Sequence, residues 1–562
     1  MELPPIKLDF KASNDLVNYN ILNITNIQCF NPLYEKFFIL NDNNYNNIIL
    51  NQSHIVKSVI KQYSYNNYLC LLKKEEDPNK ITKDVFVKFA PLIDPVKYMI
   101  GKYGFDKELF ILPDFKKKTQ QKKLSDTNNS SYTEGFFTFL ISKLLNDYKF
   151  LNAPDFYGSY LANHNKLKIN IYEDIDFLNE SDDFHKFKKE HFQIDDSFYD
   201  ELSNYDSNYN KKRLMIKDDS DDVSLNILDL SFNNETILGA SNEIIELNSL
   251  NDINIEEVIV SNDNNSRCSS LTNSTCSSRS SYTNSDNDEN DSDEESDQDE
   301  TSEEEDEEEI FAYIENFPIN VILIEKCIDT LDSYMTKNNI EEQEWENILL
   351  QIIFTLITYQ KVFDFTHNDL HTNNIMYVET DKKYIYYGFN NKIYKVHTYG
   401  KIWKIIDFGR SIYKFNGKTM FSDSFSLDGD AATQFNCEPY LNKDKQIVNP
   451  NKSFDLCRLG CSLFDYFINN IKMIKDRKNC DNLQELIIEW CSDDKNKNVL
   501  YKNNGEERYP EFKLYKMITR SVNNHTPEKQ LDRVMFDKYR VSKKKLNKKT
   551  KIINIDKFPV CT

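Results

Sequence analysis

Between residues 286 and 309 the chain carries seventeen Asp and Glu and not one Lys or Arg. Directly upstream lies "SRCSSLTNSTCSSRSSYTNS", which is almost as poor in apolar residues. Such a run repels itself and has nothing to bury, so disorder is expected and no continuous core can pass through it. The chain must fold on both sides of this segment or on one side alone. Composition places the whole Ser-rich and acidic insert at residues 163–312, although its upstream part, "SLNILDLSFNNETILGASNEIIELNSLNDINIEEVIV", has apolar residues that can hold short local structure. The acidic run is either a solvated spacer or a substrate for an acid-directed kinase, which would add further negative charge.

The same segment accounts for the net charge. The whole chain stands at −22, and without residues 286–309 it stands at −5. The acidity therefore belongs to one stretch and not to a folded surface. A basic nucleic-acid-binding surface is not supported either, although "KKKLNKKTK" (543–551) makes a basic C-terminal tail over 541–562, read as a solvated terminus. The 562 residues, 39% hydrophobic, suffice for two domains or one large domain with a long insert. Eleven cysteines without a CxxC pair suit a reducing interior better than a disulfide frame or a zinc site. There is no signal-peptide pattern at the start and no apolar run long enough for a bilayer. A soluble, intracellular, cytoplasmic protein without a membrane or nucleic-acid partner is expected.

Two parts carry folding patterns. After an extension over 1–49, residues 50–162 contain an alternating strand, "DVFVKFAP" (84–91), and a helix, "YTEGFFTFLISKLLNDY" (132–148). Residues 313–540 contain "FPINVILIEKCIDTLDSYM" (317–335), a strand running into a short helix. They also contain "EEQEWENILLQIIFTLITYQKVF" (341–363), which sets Trp345, Ile348, Leu349, Ile352, Ile353 and Leu356 at helical spacing, and a second apolar helix at 453–471. The expected fold class is α+β.

Chemistry concentrates in "FTHNDLHTNNIMYV" (365–378), which can be a metal cluster, a polar turn, or half of a phosphoryl-transfer site. The third option gains from "KIWKIIDFGRS" (401–411), another apolar strand, leading to Asp407, Phe408 and Gly409. Phosphoryl transfer needs positioning and charge neutralisation: a carboxylate at the attacking hydroxyl and hard oxygen ligands for magnesium. Asp369 suits the first role; Asn374 and Asp407 suit the second.

These two stretches resemble the catalytic loop H-x-D-L-x-x-x-N and the D-F-G of the eukaryotic-type protein kinase superfamily. The resemblance implies a bilobal fold, with a small β-rich N-lobe and a mostly helical C-lobe, and an enzyme using ATP and Mg2+. Asp369 would orient the acceptor hydroxyl, Asn374 and Asp407 would hold magnesium, and His367 would support the loop. Lys88 would hold the nucleotide phosphates, paired to Glu134 or, as a competing partner, Glu108. Backbone groups near Glu325, Lys326 and Cys327 would face the adenine. Asp455 would brace the catalytic loop, or be a plain helix N-cap. The acceptor implied is a protein Ser or Thr hydroxyl.

Several positions depart from the family pattern. No glycine precedes Gly101, so the phosphate-covering turn falls on "KQYSYNNYLCLL" (61–72), with Ser64, Asn66 and Asn67 in place of glycines. The usual lysine two places after the catalytic Asp is His371, which would contact the transferred phosphate. The D-L-H form is similar to haspin-like kinases and to aminoglycoside and choline kinase relatives. The 48 residues from Asp407 to Asp455 favour a protein substrate over a small molecule. The inserted "YIYYGFNNKIYKVHTYG" hairpin, with "DGDAATQFNCEPYLN", is similar to divergent kinases of giant DNA viruses, for which packaging in a particle is an open question. A pseudokinase scaffold and a small-molecule phosphotransferase are the two alternatives.

Overall fold

The computed structural model describes residues 3–12, 20–74, 80–116, 121–195, 310–510 and 512–562. The Ser-rich and acidic run lies outside them. The described chain is mixed α+β. Its main sheet has seven strands, all pairs antiparallel, in the order Ile24–Gln28, Phe156–Asn170, Phe311–Glu325, Lys80–Pro91, Asn67–Lys74, His54–Gln62, with Gln193–Ile194 also on Phe311–Glu325. Lys88 pairs with Ile322, and Ile322 with Ser159. Side chains alternate along a strand, so these three share one face while Phe89, Val321 and Tyr160 share the other. The Phe156–Asn170 strand crosses residue 162, where composition alone sets a boundary, and its ladder runs on to Asn170↔Phe311. Backbone pairing holds those residues where side-chain hydrophobicity gives no signal.

The Ser130–Tyr148 helix covers the Lys88 face of this sheet. Asn129 caps it by accepting from Ser131 N, and Asn320 Nδ2 donates to Ser131 O at 2.8 Å. Its other side is covered by the N-terminal residues: Phe37 stacks on Phe136 at 4.8 Å, and Lys143 Nζ donates to Asn51 O. The helix is therefore buried nearly all round, which explains its weak amphipathic pattern.

On the opposite face the turn at residues 63–66 is pinned by Tyr65. Its hydroxyl accepts from Lys168 N at 2.9 Å and lies 3.3 Å from His164 Nε2, while Phe89 packs on His164 at 4.7 Å. Burial pushes the His164 imidazole from its ordinary 6.5 down to about 4. The folded chain keeps this ring neutral where the unfolded chain protonates it. Its contribution to stability is full above pH 6.5, drains as pH falls toward 4, and levels off below. Wild type is expected to lose about 3 kcal/mol more than a His164→Gln variant between pH 7 and pH 4. Urea titrations at the two pH values check this.

The helical part is built on Glu342–Phe363, where Trp345, Ile348, Leu349, Ile352, Ile353 and Leu356 are all buried. Beside it, Ile375–Glu379 pairs with Lys401–Ile405, and between these strands Tyr384–Phe389 and Lys392–His397 form a hairpin. Asn390 and Asn391 turn it at φ +50 and +59, a conformation that Asn tolerates. The tail read as solvated divides in two. Lys543, Lys544 and Lys545 are exposed, whereas Ile553, Ile555 and Phe558 are buried and Cys561 N donates to Val362 O. Spaced apolar residues decide the packing there, and the lysine run hides them in any compositional average. Among the described residues no helix is long and apolar enough to cross a membrane.

The Phe454–Phe467 helix meets Asn482–Trp490 through Gly460, where a Cβ would stand 2.8 Å from Trp490 Cβ and 3.2 Å from Cys491 Sγ. Gly460→Ala would gain up to about 1 kcal/mol of helix propensity. Overpacking against a Cβ that cannot swing away costs about 1–3 kcal/mol. The variant is expected to show a lower urea midpoint with an unchanged slope; a raised midpoint would mean the two helices separate freely.

Candidate active site

Lys88 sits on an interior strand and is buried, so its ammonium must find partners. It finds two: Glu134 Oε1 at 2.6 Å and Asp407 Oδ1 at 3.1 Å. Burial alone would lower the Lys88 pKa, but Asp407 and Glu134 outweigh it and hold it above its ordinary value. Burial lifts the Glu134 carboxyl against the pull of Lys88. Glu108, the competing partner, is exposed on the short Lys107–Phe110 turn. The structure thus brings together three residues from a strand, a helix and the segment just beyond the Lys401–Ile405 strand.

The catalytic-loop candidate is held from below. Asp455, in the first turn of Phe454–Phe467, is fully buried and accepts from His367 N at 3.0 Å and Asn368 N at 2.9 Å. Its carboxylate thus holds the loop backbone. Two consecutive amides can point at one carboxylate because Asn368 adopts φ +66. His367 Nε2 donates to Ile406 O at 2.9 Å and Nδ1 accepts from Asp369 N at 3.3 Å, so the imidazole ties the loop to the residue before Asp407. Ile406 N in turn donates to Asn374 O.

Asn374 Nδ2 donates to Asp369 O and to His371 Nε2, both at 3.0 Å. A carbonyl oxygen only accepts, which fixes the amide's orientation and turns Asn374 Oδ1 away from both. That oxygen is buried with no hydrogen-bond partner, and so is Asp407 Oδ2. Leaving a buried acceptor unsatisfied costs about 1–3 kcal/mol. A hard cation fits such a pair. Among the described residues no group of three or more His, Cys, Asp and Glu gathers for a metal. One amide and one carboxylate oxygen match the sparse protein donor set of Mg2+, which keeps water and substrate phosphate as its other ligands. His371 is half-buried, and burial pushes its imidazole down to about 4, leaving it neutral and able to accept from Asn374.

Asp369 is 2% exposed, with both carboxylate oxygens engaged. Tyr515 Oη donates to Oδ1 at 2.7 Å, and Arg410 Nη1 stands 3.4 Å from Oδ2. Burial alone would raise this carboxyl; Arg410 first, then His371, Arg458 and the Tyr515 hydrogen bond, bring it down to about 2. Arg410 also pairs with Asp430. Neither Tyr515 nor Arg458 is signalled by the sequence, because each reaches the site from a distant helix. Arg410 directly follows Gly409, in the same short run as Asp407.

The remaining candidates are arranged differently. Glu325 Oε2 forms an ion pair with Lys404 Nζ at 2.5 Å, and Glu325 N donates to Asp155 O. Lys326 and Cys327 lie beyond the last rung of the sheet, Val85↔Glu325, and Cys327 is buried. In the glycine-free turn, Asn66 Nδ2 donates to Val87 O at 2.7 Å, and Ser64 Oγ accepts from Asn67 Nδ2 at 2.8 Å. Both side chains serve the turn itself and its tie to the lysine strand.

No family model matches the chain. Over 107 residues, 17% of its length, it is 37% identical to a protein of Dictyostelium discoideum described as a probable serine/threonine-protein kinase. Over 106 residues it is 24% identical to an uncharacterized protein of Caenorhabditis elegans. The matches span 8% and 36% of those two proteins. The likeness is partial, and it points to a kinase-like relationship.

Proposed function

We propose that this chain is a protein kinase that transfers the γ-phosphate of ATP to protein hydroxyls, Ser or Thr rather than Tyr. The observation that carries the reading is the pair of buried acceptors without partners, Asn374 Oδ1 and Asp407 Oδ2, beside a buried Lys88–Glu134 pair. The sheet would be the N-lobe and the helical part the C-lobe, with residues 326–329 as the hinge. Asn374 and Asp407 would hold Mg2+, which when bound neutralises charge on the transferred phosphoryl group. Lys88, fixed by Glu134, would take phosphate oxygens. Asp369 would accept the acceptor's proton at a carboxylate oxygen and orient its hydroxyl. Backbone at Lys326 and Cys327 would meet the adenine edge.

A protein acceptor is favoured by the length and build of residues 408–453. Ile412, Phe421, Phe425, Ala431 and Phe435 pack into a core of their own there, so the segment is a formed surface and not a short link. One observation favours a nucleotide-binding scaffold instead: the phosphate-side turn is pinned by Tyr65 and Asn66 and has no glycine. Incubation with γ-labelled ATP, Mg2+ and generic protein acceptors separates the readings. Transfer is expected, lost on chelation and lowered about 10²–10³-fold by Asp407→Asn, the range for removing one electrostatic contact to a transition state. No transfer to any acceptor by wild type overturns the kinase reading.

A further inference from the structure

Tyr515 lies on the Lys513–Ser521 helix, 146 residues beyond Asp369 in the chain, and is 1% exposed. Its ring stacks on Phe512 at 5.5 Å, with the guanidinium groups of Arg410 and Arg458 at 5.9 and 5.3 Å from its centre. The hydroxyl meets two groups, Arg458 Nε at 3.0 Å and Asp369 Oδ1 at 2.7 Å. An arginine N–H can only donate, so the phenol oxygen accepts there and its single proton is directed at Asp369. Packing alone would be served by Phe. The hydroxyl is needed to relay a buried arginine to a buried carboxylate.

We propose that Tyr515 is a positioning residue for the transfer: with Arg458 behind it and Arg410 on the second oxygen, it fixes the rotamer in which Asp369 meets the acceptor hydroxyl. The inference rests on the kinase reading of Asp369. It also explains how the loop works without a lysine at position 371. His371 is hydrogen-bonded to Asn374, and the positive neighbours of Asp369 come from Arg410 and Arg458 instead. Each carboxylate oxygen has one donor and keeps a further lone pair for an incoming hydroxyl.

The test compares wild type, Tyr515→Phe, Asp369→Asn and the double variant in full-length protein, reading kcat, KM for ATP and thermal midpoint. Tyr515→Phe is expected to lower kcat about tenfold, the scale of a modest misplacement of a reacting group. KM for ATP and the midpoint should stay as in wild type, and in the Asp369→Asn background the substitution should cost nothing more. Arg458→Met should give a smaller loss that vanishes in the Asp369→Asn background, which keeps the test alive if Tyr515→Phe folds poorly. Wild-type turnover by Tyr515→Phe, or an equal loss with and without the Asp369 carboxylate, overturns the positioning role alone. A wild type that transfers nothing removes the kinase reading, and this inference falls with it.

Discussion

Asp369→Asn is expected to lower kcat by about 10²–10⁴-fold, the range for loss of a general base, while the chain stays folded. The substitution keeps the shape and one acceptor oxygen, removes the charge and the basic lone pair, and turns the second acceptor position into an NH2 donor. Arg410 retains Asp430, and Tyr515 can still donate to the amide oxygen, so neither buried arginine is left wholly unpaired. KM for ATP should barely change, because Lys88 and Asp407 are untouched. Steady-state kinetics beside a thermal melt checks both halves. Transfer that survives the substitution at wild-type rate would remove Asp369 from the chemistry and leave Lys88 and Asp407 as a nucleotide site.

Phe137→Ala is expected to destabilise the protein by about 3–5 kcal/mol, a large share of the stability of an ordinary domain. Phe137 is fully buried three residues after Glu134. It stacks on Phe365 at 4.7 Å and touches Tyr413 at 4.6 Å and Phe408 at 4.9 Å. One ring therefore bears on the helix that carries Glu134, the residue after Asp407, and the entry to the loop that carries Asp369. The cavity left by alanine would loosen all three together, so transfer should fall along with the urea midpoint. A loss below about 1 kcal/mol would mean that the neighbouring rings close the gap.

Local chemistry was legible in the sequence wherever it is compact. Asp369, His371 and Asn374 fall within one short run, Asp407 follows a plain apolar strand, and Lys88 sits mid-strand where a charge needs a partner. Glu134 could be proposed because it opens a clear helix. What stayed hidden depends on tertiary pairing. Tyr515 and Arg458 are ordinary residues on ordinary helices until the fold sets them beside Asp369. Glu325 gave no sign that Lys404 would bind it, since an ion pair across 79 residues has no local period. The same holds for the fold. The buried helix at Glu342–Phe363 announces itself by spacing. The strand Phe156–Asn170 owes its far half to its partner's backbone.

That partner, Phe311–Glu325, sits between Lys80–Pro91 and Phe156–Asn170, and its rung Asn170↔Phe311 closes a connection of 140 residues. Loop-closure entropy grows only logarithmically, so shortening that connection sevenfold would gain just about 2 kcal/mol. The delay it imposes is of another kind. During synthesis the strands on either side emerge first, each with an apolar edge that has no neighbour until residue 325 has been made. A long-range pairing of this sort is slow to form. The keystone of the sheet arrives last, and two open edges must wait for it.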